Sequence, residues 1–213
     1  AGGKRVSVGA TELINIDKPK SVAASPNRRR TTEGTRLGRA VHAALQVLDF
    51  QTLEGIDGIA KTKAEAEGIP DKTNQVASLI KVATNTVVVK RALSSGRMWR
   101  EVPVSLPLGI GIVDCVIDLL FEEHDGLVIV DYKTDAECST QTMSKYYLQA
   151  GIYALALQEL THLPVKEITL LFLSQNNAYE LDNIPSVIEE AKLACKAYFV
   201  EGNSTEKWCS QRH

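Results

Sequence analysis

Ile112-Val-Asp-Cys-Val-Ile-Asp-Leu-Leu-Phe-Glu-Glu-His-Asp-Gly-Leu-Val-Ile-Val-Asp-Tyr-Lys-Thr134 is the stretch that decides how this chain folds. Two β-branched, apolar runs flank a polar Glu-Glu-His-Asp-Gly segment, which predicts strand, tight turn, strand. Each run should be core, yet Asp118 sits in the first and Asp131 in the second, with Lys133 two residues on. The two acids are equidistant from the midpoint between His124 and Asp125, so symmetric pairing sets them opposite each other. Directly opposed residues share a face with Cβ atoms about 4.5–5.5 Å apart. Side chains repeat every second residue, so Lys133 is expected on that face too. Two carboxylates that close in an apolar sheet repel and need a cation or a shared proton. A divalent metal held by oxygen ligands would satisfy them.

Around the hairpin the chain reads as helices, a strand, the hairpin, then helix, strand, helix. A helix is expected from Thr35, with Leu37, Val41, Ala44, Leu45 and Leu48 on one face. Gly55 to Ser95 is mostly helical, broken near Gly68-Ile69-Pro70-Asp71, and Thr86 to Lys90 fits helix or strand. Met98 to Ser105 predicts a strand, with Glu101 and Pro103 marking an edge or a bulge. Residues 138–144 read as polar loop and 145–160 as a helix. On that helix Tyr146, Gln149, Ala150 and Tyr153 share a face. Val165 to Leu173 predicts a buried strand and Ile184 to Val200 a last helix. The expected architecture is α/β, a mixed sheet with helices on both sides. The expected divisions are a basic arm or linker at 1–34, one domain at 35–200, and a tail at 201–213. Leu13-Ile14-Asn15-Ile16 in the arm is expected to pack on the body.

Composition agrees with an ordinary folded domain: 213 residues, 44% hydrophobic and 23% charged. No run approaches the length of a membrane span, and no signal peptide is visible, so no membrane partner is expected. The net charge of −2 hides an asymmetry. Residues 1–40 hold nine Lys and Arg against three acids, a pattern suited to a phosphate backbone. The four cysteines form no C-x-x-C pair, so a zinc site is not expected and free thiols in a reducing, intracellular compartment are. The chain opens Ala-Gly-Gly without a Met, and a domain of a larger protein is expected.

A D-x-K tripeptide is common, and alone it says little. Here the acid ends an apolar strand, with a second acid in register on the strand before. Asp118…Asp131-Tyr132-Lys133 thus resembles the PD-(D/E)-x-K nuclease motif. Three further segments extend the likeness. Gly38-Arg39-Ala40-Val41-His42-Ala43-Ala44-Leu45 resembles the G-x-x-x-H-x-x-L motif of the RecB-like nuclease family. Val130-Asp131-Tyr132-Lys133-Thr134 is similar to its D-Y-K-T motif, and Gln149-Ala150-Gly151-Ile152-Tyr153 to its Q-x-x-x-Y motif. With Val116-Ile117-Asp118-Leu119, four motifs stand in the family's order. Val8 to Leu13 also resembles the lead-in of helicase-linked members, the AddA/RecB-type helicase–nucleases.

The resemblance implies a restriction-endonuclease-like fold and a Mg²⁺-dependent DNA exonuclease, with Mn²⁺ as a substitute. It implies metal ligation by His42, Asp118, Asp131 and the Tyr132 carbonyl. Lys133, Asp131 and Asp118 would be catalytic, and Gln149 and Tyr153 would line the DNA channel and brace the site. DNA, as single strands or duplex ends, and a UvrD-like helicase in cis or in trans are the implied partners, in a nucleoid-associated setting. Asp114 competes with Asp118, and the register favours Asp118. Glu101 is a weaker supporting acid, and solvent exposure is an equal reading of it. Members with an iron–sulfur cluster use an upstream Cys and a C-terminal Cys group. Only Cys209 stands in the tail here, so no cluster is expected. Two alternatives stay open: a catalytically inactive DNA-binding module, and a stand-alone nuclease of the CRISPR-adaptation type.

Overall fold

The computed structural model describes residues 6–13, 33–108 and 111–209. Among the described residues the sheet has six strands: β1 (Val6–Gly9), β2 (Met98–Leu108), β3 (Gly111–Glu123), β4 (Gly126–Lys133), β5 (Val165–Phe172) and β6 (Asn177–Glu180). Antiparallel β2 runs along one side of β3, from Leu108↔Gly111 to Met98↔Phe121. β4 pairs with the C-terminal part of β3 and parallel β1 with its N-terminal part. Beyond β4 come parallel β5 and antiparallel β6. The sheet is therefore mixed, and Pro103 and Pro107 interrupt the hydrogen-bonding capacity of β2, which among the described residues pairs only with β3.

The hairpin has the symmetric register expected of it. Leu119 faces Val130, Leu120 faces Ile129 and Glu123 faces Gly126, so the turn is His124-Asp125. All eight residues of β4 are buried, as a strand covered on both faces must be.

The helices are α1 (Ala10–Leu13), α2 (Glu33–Val47), α3 (Ile56–Ala66), α4 (Thr73–Asn85), α5 (Val87–Ser94), α6 (Thr140–Thr161) and α7 (Ile184–Cys209). They cover both faces of the sheet. On one face α2 to α5 pack Val41, Leu45, Leu48 and Ile80 against Leu119, Phe121, Val128, Val130 and Tyr132. On the other, α1, α6 and α7 pack Leu13, Ile152, Leu155 and Ile188 against Val113, Ile117, Leu120, Ile129 and Leu170. Burial at this scale stabilises by about 1.5–3 kcal/mol per large apolar side chain. Helix α6 is buried almost all round from Ala150 to Leu157, because it lies between sheet and α7. Gly151 permits that: a Cβ there would come within 2.5 Å of the Val187 carbonyl oxygen.

Local departures from the expected elements have local causes. Helix α6 begins at Thr140, inside the expected loop, because the Ser139 hydroxyl caps it by accepting from the Thr142 amide at 3.1 Å. Val87–Lys90 is helical, and Thr86 stands extended before it as the N-cap of α5. β6 was not expected: Asn177–Glu180 is exposed throughout and carries no apolar pattern. Within the segment expected as an arm, Val6–Gly9 joins the sheet and Leu13 is fully buried. Ile14, Asn15 and Ile16 lie outside the described residues. Helix α7 runs past the expected boundary at 200, to Cys209. Among the described residues no helix is long and apolar enough to cross a membrane.

One irregularity places the site. Along β3, Ile117 belongs to the core under α6 and Leu119 to the core under α2, although they are two residues apart. On β2, Val102 packs into the first core, whereas the Arg100 guanidinium stacks on Phe50 in the second. The alternation thus slips by one residue at Asp118 and, opposite it, at Glu101. Glu101 has φ of +50°, a left-handed conformation uncommon outside glycine. The slips match, so the pairing register of the strands is the same on both sides of them.

Candidate active site at the open end of the sheet

Asp118 and Asp131 follow the last β3–β4 pair, Leu119↔Val130. There the ladder gives way to a side chain: Asp118 Oδ2 accepts the Tyr132 amide at 2.7 Å. At the slip, alternation counted from Ile117 and from Leu119 assigns Asp118 to opposite faces. Asp131 and Lys133 do follow alternation and lie on the α6 side, with Ile129. The Asp118 and Asp131 carboxyls still meet at the strand ends and line one cleft with Lys133. Helix α2 packs on the opposite face from Asp131, and His42 reaches the site at the end of the strands.

His42 Nδ1 is 2.9 Å from Asp118 Oδ1, and Nε2 is 3.0 Å from the Tyr132 carbonyl oxygen. Both partners are acceptors, so both ring nitrogens donate and the ring is an imidazolium. Burial works against that charge, but Asp118, with Asp131 and Glu101 behind it, holds the His42 pKa up at about 9. For Asp118 the same balance runs the other way. Burial would raise it, and His42 and the Tyr132 amide outweigh burial, leaving it below the ordinary carboxylate range. Asp131, only 2% exposed, is pushed up to about 6 by burial, opposed by Lys133 and reinforced by Asp118.

Lys133 is held from three directions. Its Nζ lies 2.5 Å from Asp131 Oδ2, donates to Gln149 Oε1 at 2.8 Å, and sits 4.1 Å from the centroid of the Tyr146 ring. Gly38 lets α2 close onto the end of β4: a Cβ there would stand 3.1 Å from Thr134 Oγ1. His42, Asp118, Asp131, Tyr132, Lys133, Gln149 and Tyr153 all line one cleft of about 500 Å³. A second cleft of about 410 Å³ adjoins it across Gly38 and His42 and is lined by Arg39 and Glu101.

Glu101 matters more here than its sequence position suggests. A ligand atom from each of His42, Glu101 and Asp118 lies within 4.8 Å of the others. Burial, then Asp118, raises the Glu101 carboxyl, and His42 opposes them. Its only sequence signal is an acid two residues before Pro103 in an edge strand. Asp114, the rival of Asp118, is exposed and accepts the hydroxyls of Ser7 and Ser105 (the latter at 2.6 Å), away from His42. Tyr146 was legible as a member of the Gln149–Tyr153 helix face, but not as a partner of Lys133.

The donor set suits a hard divalent cation. It has carboxylates, a backbone carbonyl and one imidazole, the oxygen-rich mixture that magnesium and manganese take. A buried atom points the same way: Asp131 Oδ2 has the Lys133 ammonium beside it but no aligned hydrogen bond. Such an oxygen has capacity for a further positive partner.

Known proteins resemble the chain over the part that carries this site. The family model of the PD-(D/E)XK nuclease superfamily matches residues 19–207. Several bacterial proteins named as ATP-dependent helicase/nuclease subunits are similar in sequence. That of Ruminiclostridium cellulolyticum is 31% identical over 165 residues, which cover 68% of this chain and 13% of the relative. That of Carboxydothermus hydrogenoformans is 31% identical over 164 residues, covering 67% and 14%. The chain therefore spans only about one seventh of the length of these relatives.

Proposed function

The chain belongs to the PD-(D/E)XK nuclease superfamily, and from that premise we propose that it is a metal-dependent DNA nuclease. In this reading it is an exonuclease that trims single-stranded or duplex DNA ends in repair and recombination. It acts on the nucleoid with a helicase of the UvrD type, in cis or in trans; what supports a helicase partner is that its relatives are named helicase/nuclease subunits. The observation that carries the reading is the buried pair Asp118 and Asp131 with Lys133 held at the same strand end.

Asp118, Asp131, His42 and the Tyr132 carbonyl would hold Mg²⁺, or Mn²⁺ in its place, and Glu101 stands close enough to join them. A bound divalent ion supplies charge neutralisation at the phosphate and a water acidic enough to attack near neutral pH. The chain's own residues do the rest. Lys133 presents a fixed ammonium to the attacking water or to charge developing on the phosphate oxygens. Gln149 orients that ammonium through its side-chain carbonyl. Tyr153 walls the cleft beside Asp131 and Asp118. No side chain needs to form a covalent intermediate.

The test is cleavage of labelled single-stranded and duplex DNA with and without Mg²⁺ or Mn²⁺. Asp131→Ala and Lys133→Ala should keep the wild-type circular dichroism and lose cleavage by at least about 100-fold, the scale of removing one electrostatic group at a reacting centre. Asp118→Ala should do the same, and Asp114→Ala should retain most activity. Undiminished metal-dependent cleavage by Asp131→Ala would sink the assignment. DNA binding without cleavage by the wild type would favour an inactive binding module.

A further inference from the structure

We propose that Tyr146 is a positioning residue for Lys133: its ring face holds the ammonium at the cleft, and its hydroxyl, tied to Asp135, holds the ring. The inference rests on the nuclease reading for its catalytic consequence, and on geometry for the contact itself.

Lys133 is 8% exposed, and its flexible stem ends 4.1 Å from the centre of the Tyr146 ring. The ring is fixed at two points. Its hydroxyl donates to Asp135 Oδ2 at 2.5 Å, and its body tilts against Phe172, centroids 6.2 Å apart. Asp135 lies two residues beyond Lys133 and Phe172 pairs with Lys133 across the β4–β5 ladder. Tyr146 therefore clasps the strand end that carries the ammonium. It stands one helical turn from Gln149 and two turns from Tyr153 on the same face of α6.

The three partners of the ammonium differ in what they leave it. Asp131 neutralises it, and under the proposed function that carboxylate is also needed by the divalent ion. Gln149 offers one neutral acceptor. The ring attracts the cation through its quadrupole and removes none of its charge. It is thus the partner that fixes the ammonium while leaving the full charge for a phosphate oxygen. A lysine stem is rich in rotamers, and restraining it beforehand spares that entropy at the moment of reaction.

The metal-free protein gives the first readout. A group above an aromatic ring is shifted upfield, so the Lys133 Hε protons should resonate upfield of other lysines in spectra of ¹³C-lysine-labelled protein. Loss of the signal in Lys133→Arg assigns it. Tyr146→Phe should keep the shift, and Tyr146→Leu should return the signal to the ordinary position. The second readout separates binding from turnover. Tyr146→Leu should lower kcat with Mg²⁺ about 3- to 30-fold, the range of a cation–π contact, and leave the Kd for an oligonucleotide in Ca²⁺ within about twofold. Tyr146→Phe, which loses only the tether, should lower kcat about two- to threefold. Tyr146→Met fills the space beside Phe172 without a ring, and should repeat the leucine result if leucine loosens the fold.

An unshifted Lys133 signal in the wild type overturns the proposal. So does a Tyr146→Leu protein that keeps its kcat, or one whose loss lies wholly in Kd. Failure of the nuclease reading looks different: the wild type then shows no metal-dependent cleavage, and the positioning role falls with it even where the Lys133 signal moves with the ring.

Discussion

His42 carries two protons where the proposed function needs none on at least one of its nitrogens. Those nitrogens face Asp118 and the Tyr132 carbonyl, the same groups that would share a divalent ion. The proton is the metal's competitor, because an imidazole binds metal only when neutral. A pH dependence follows. The folded pKa of about 9 stands above the ordinary 6.5, so His42 stabilises the metal-free protein fully below pH 6.5. That contribution is lost as pH rises through about 9, since the native state then holds a proton that the unfolded state does not. Thermal unfolding without metal should show the melting temperature falling across that window, and His42→Asn should flatten the slope. Apparent Mg²⁺ affinity should rise over the same range, with protons released to the buffer on titration. A slope equal in wild type and His42→Asn would place the titration elsewhere.

At the scale of elements, three strands and two helices meet at the site, and one arginine ties half of it together. Arg100 donates to the carbonyl oxygens of Leu45 and Leu48, at 2.8 and 2.5 Å, closing the C-terminal end of α2. Its guanidinium lies 4.7 Å over the Phe50 ring. Carbonyls at a helix end otherwise lack partners, and a cation there also suits the helix dipole. Arg100 adjoins Glu101 on β2, and α2 carries His42, so this cap fixes one ligand element against another. Arg100→Leu should destabilise by about 1–3 kcal/mol. That amounts to several degrees in melting temperature for a domain of this size. Arg100→Lys should recover only part of it, because a point charge does not bridge two carbonyls and stack on a ring. An unchanged melting temperature in Arg100→Leu would show the cap to be idle.

The same elements show what the sequence could reveal. Apolar runs of equal reach around His124-Asp125 fixed the hairpin register, and the 3.6 period of Leu37, Val41 and Leu45 revealed α2. The slip at Asp118 was invisible for a physical reason. Its neighbours Ile117 and Leu119 are both apolar, so the hydrophobic pattern is the same whether they share a core or divide between two. Glu101 was hidden likewise, since its worth comes from lying across from Asp118 and not from its own surroundings in the chain. β6 offered no pattern because its four residues face solvent. Where an apolar stripe met an apolar face, sequence was enough. Where a polar group was placed by a partner from a distant element, it was not.

Over the whole molecule, the sheet separates two cores, and the candidate site draws on both. His42 comes with the core of α2 to α5, and Gln149 and Tyr146 with α6 on the other side. Neither core needs the acids that lie between them. Asp118 and Glu101 are the residues at which the alternation slips, each one more than an uninterrupted β2–β3 ladder would hold. Remove both, and Ile117 would precede Leu119, and Arg100 would precede Val102, each still pointing into its present core. A protein lacking both Glu101 and Asp118 should thus still fold, melting lower only by the loss of the Asp118 contacts to His42 and the Tyr132 amide, and cut no DNA. Loss of one alone should shift β2 against β3 and melt markedly lower, by thermal circular dichroism. If the double deletion is the least stable of the three, the slips are structural and not spare. These two acids are insertions that the architecture tolerates and the chemistry retains. A lineage no longer under selection for cleavage could lose them together and keep an intact scaffold, a short evolutionary path from a cutting domain to one that only holds its partner.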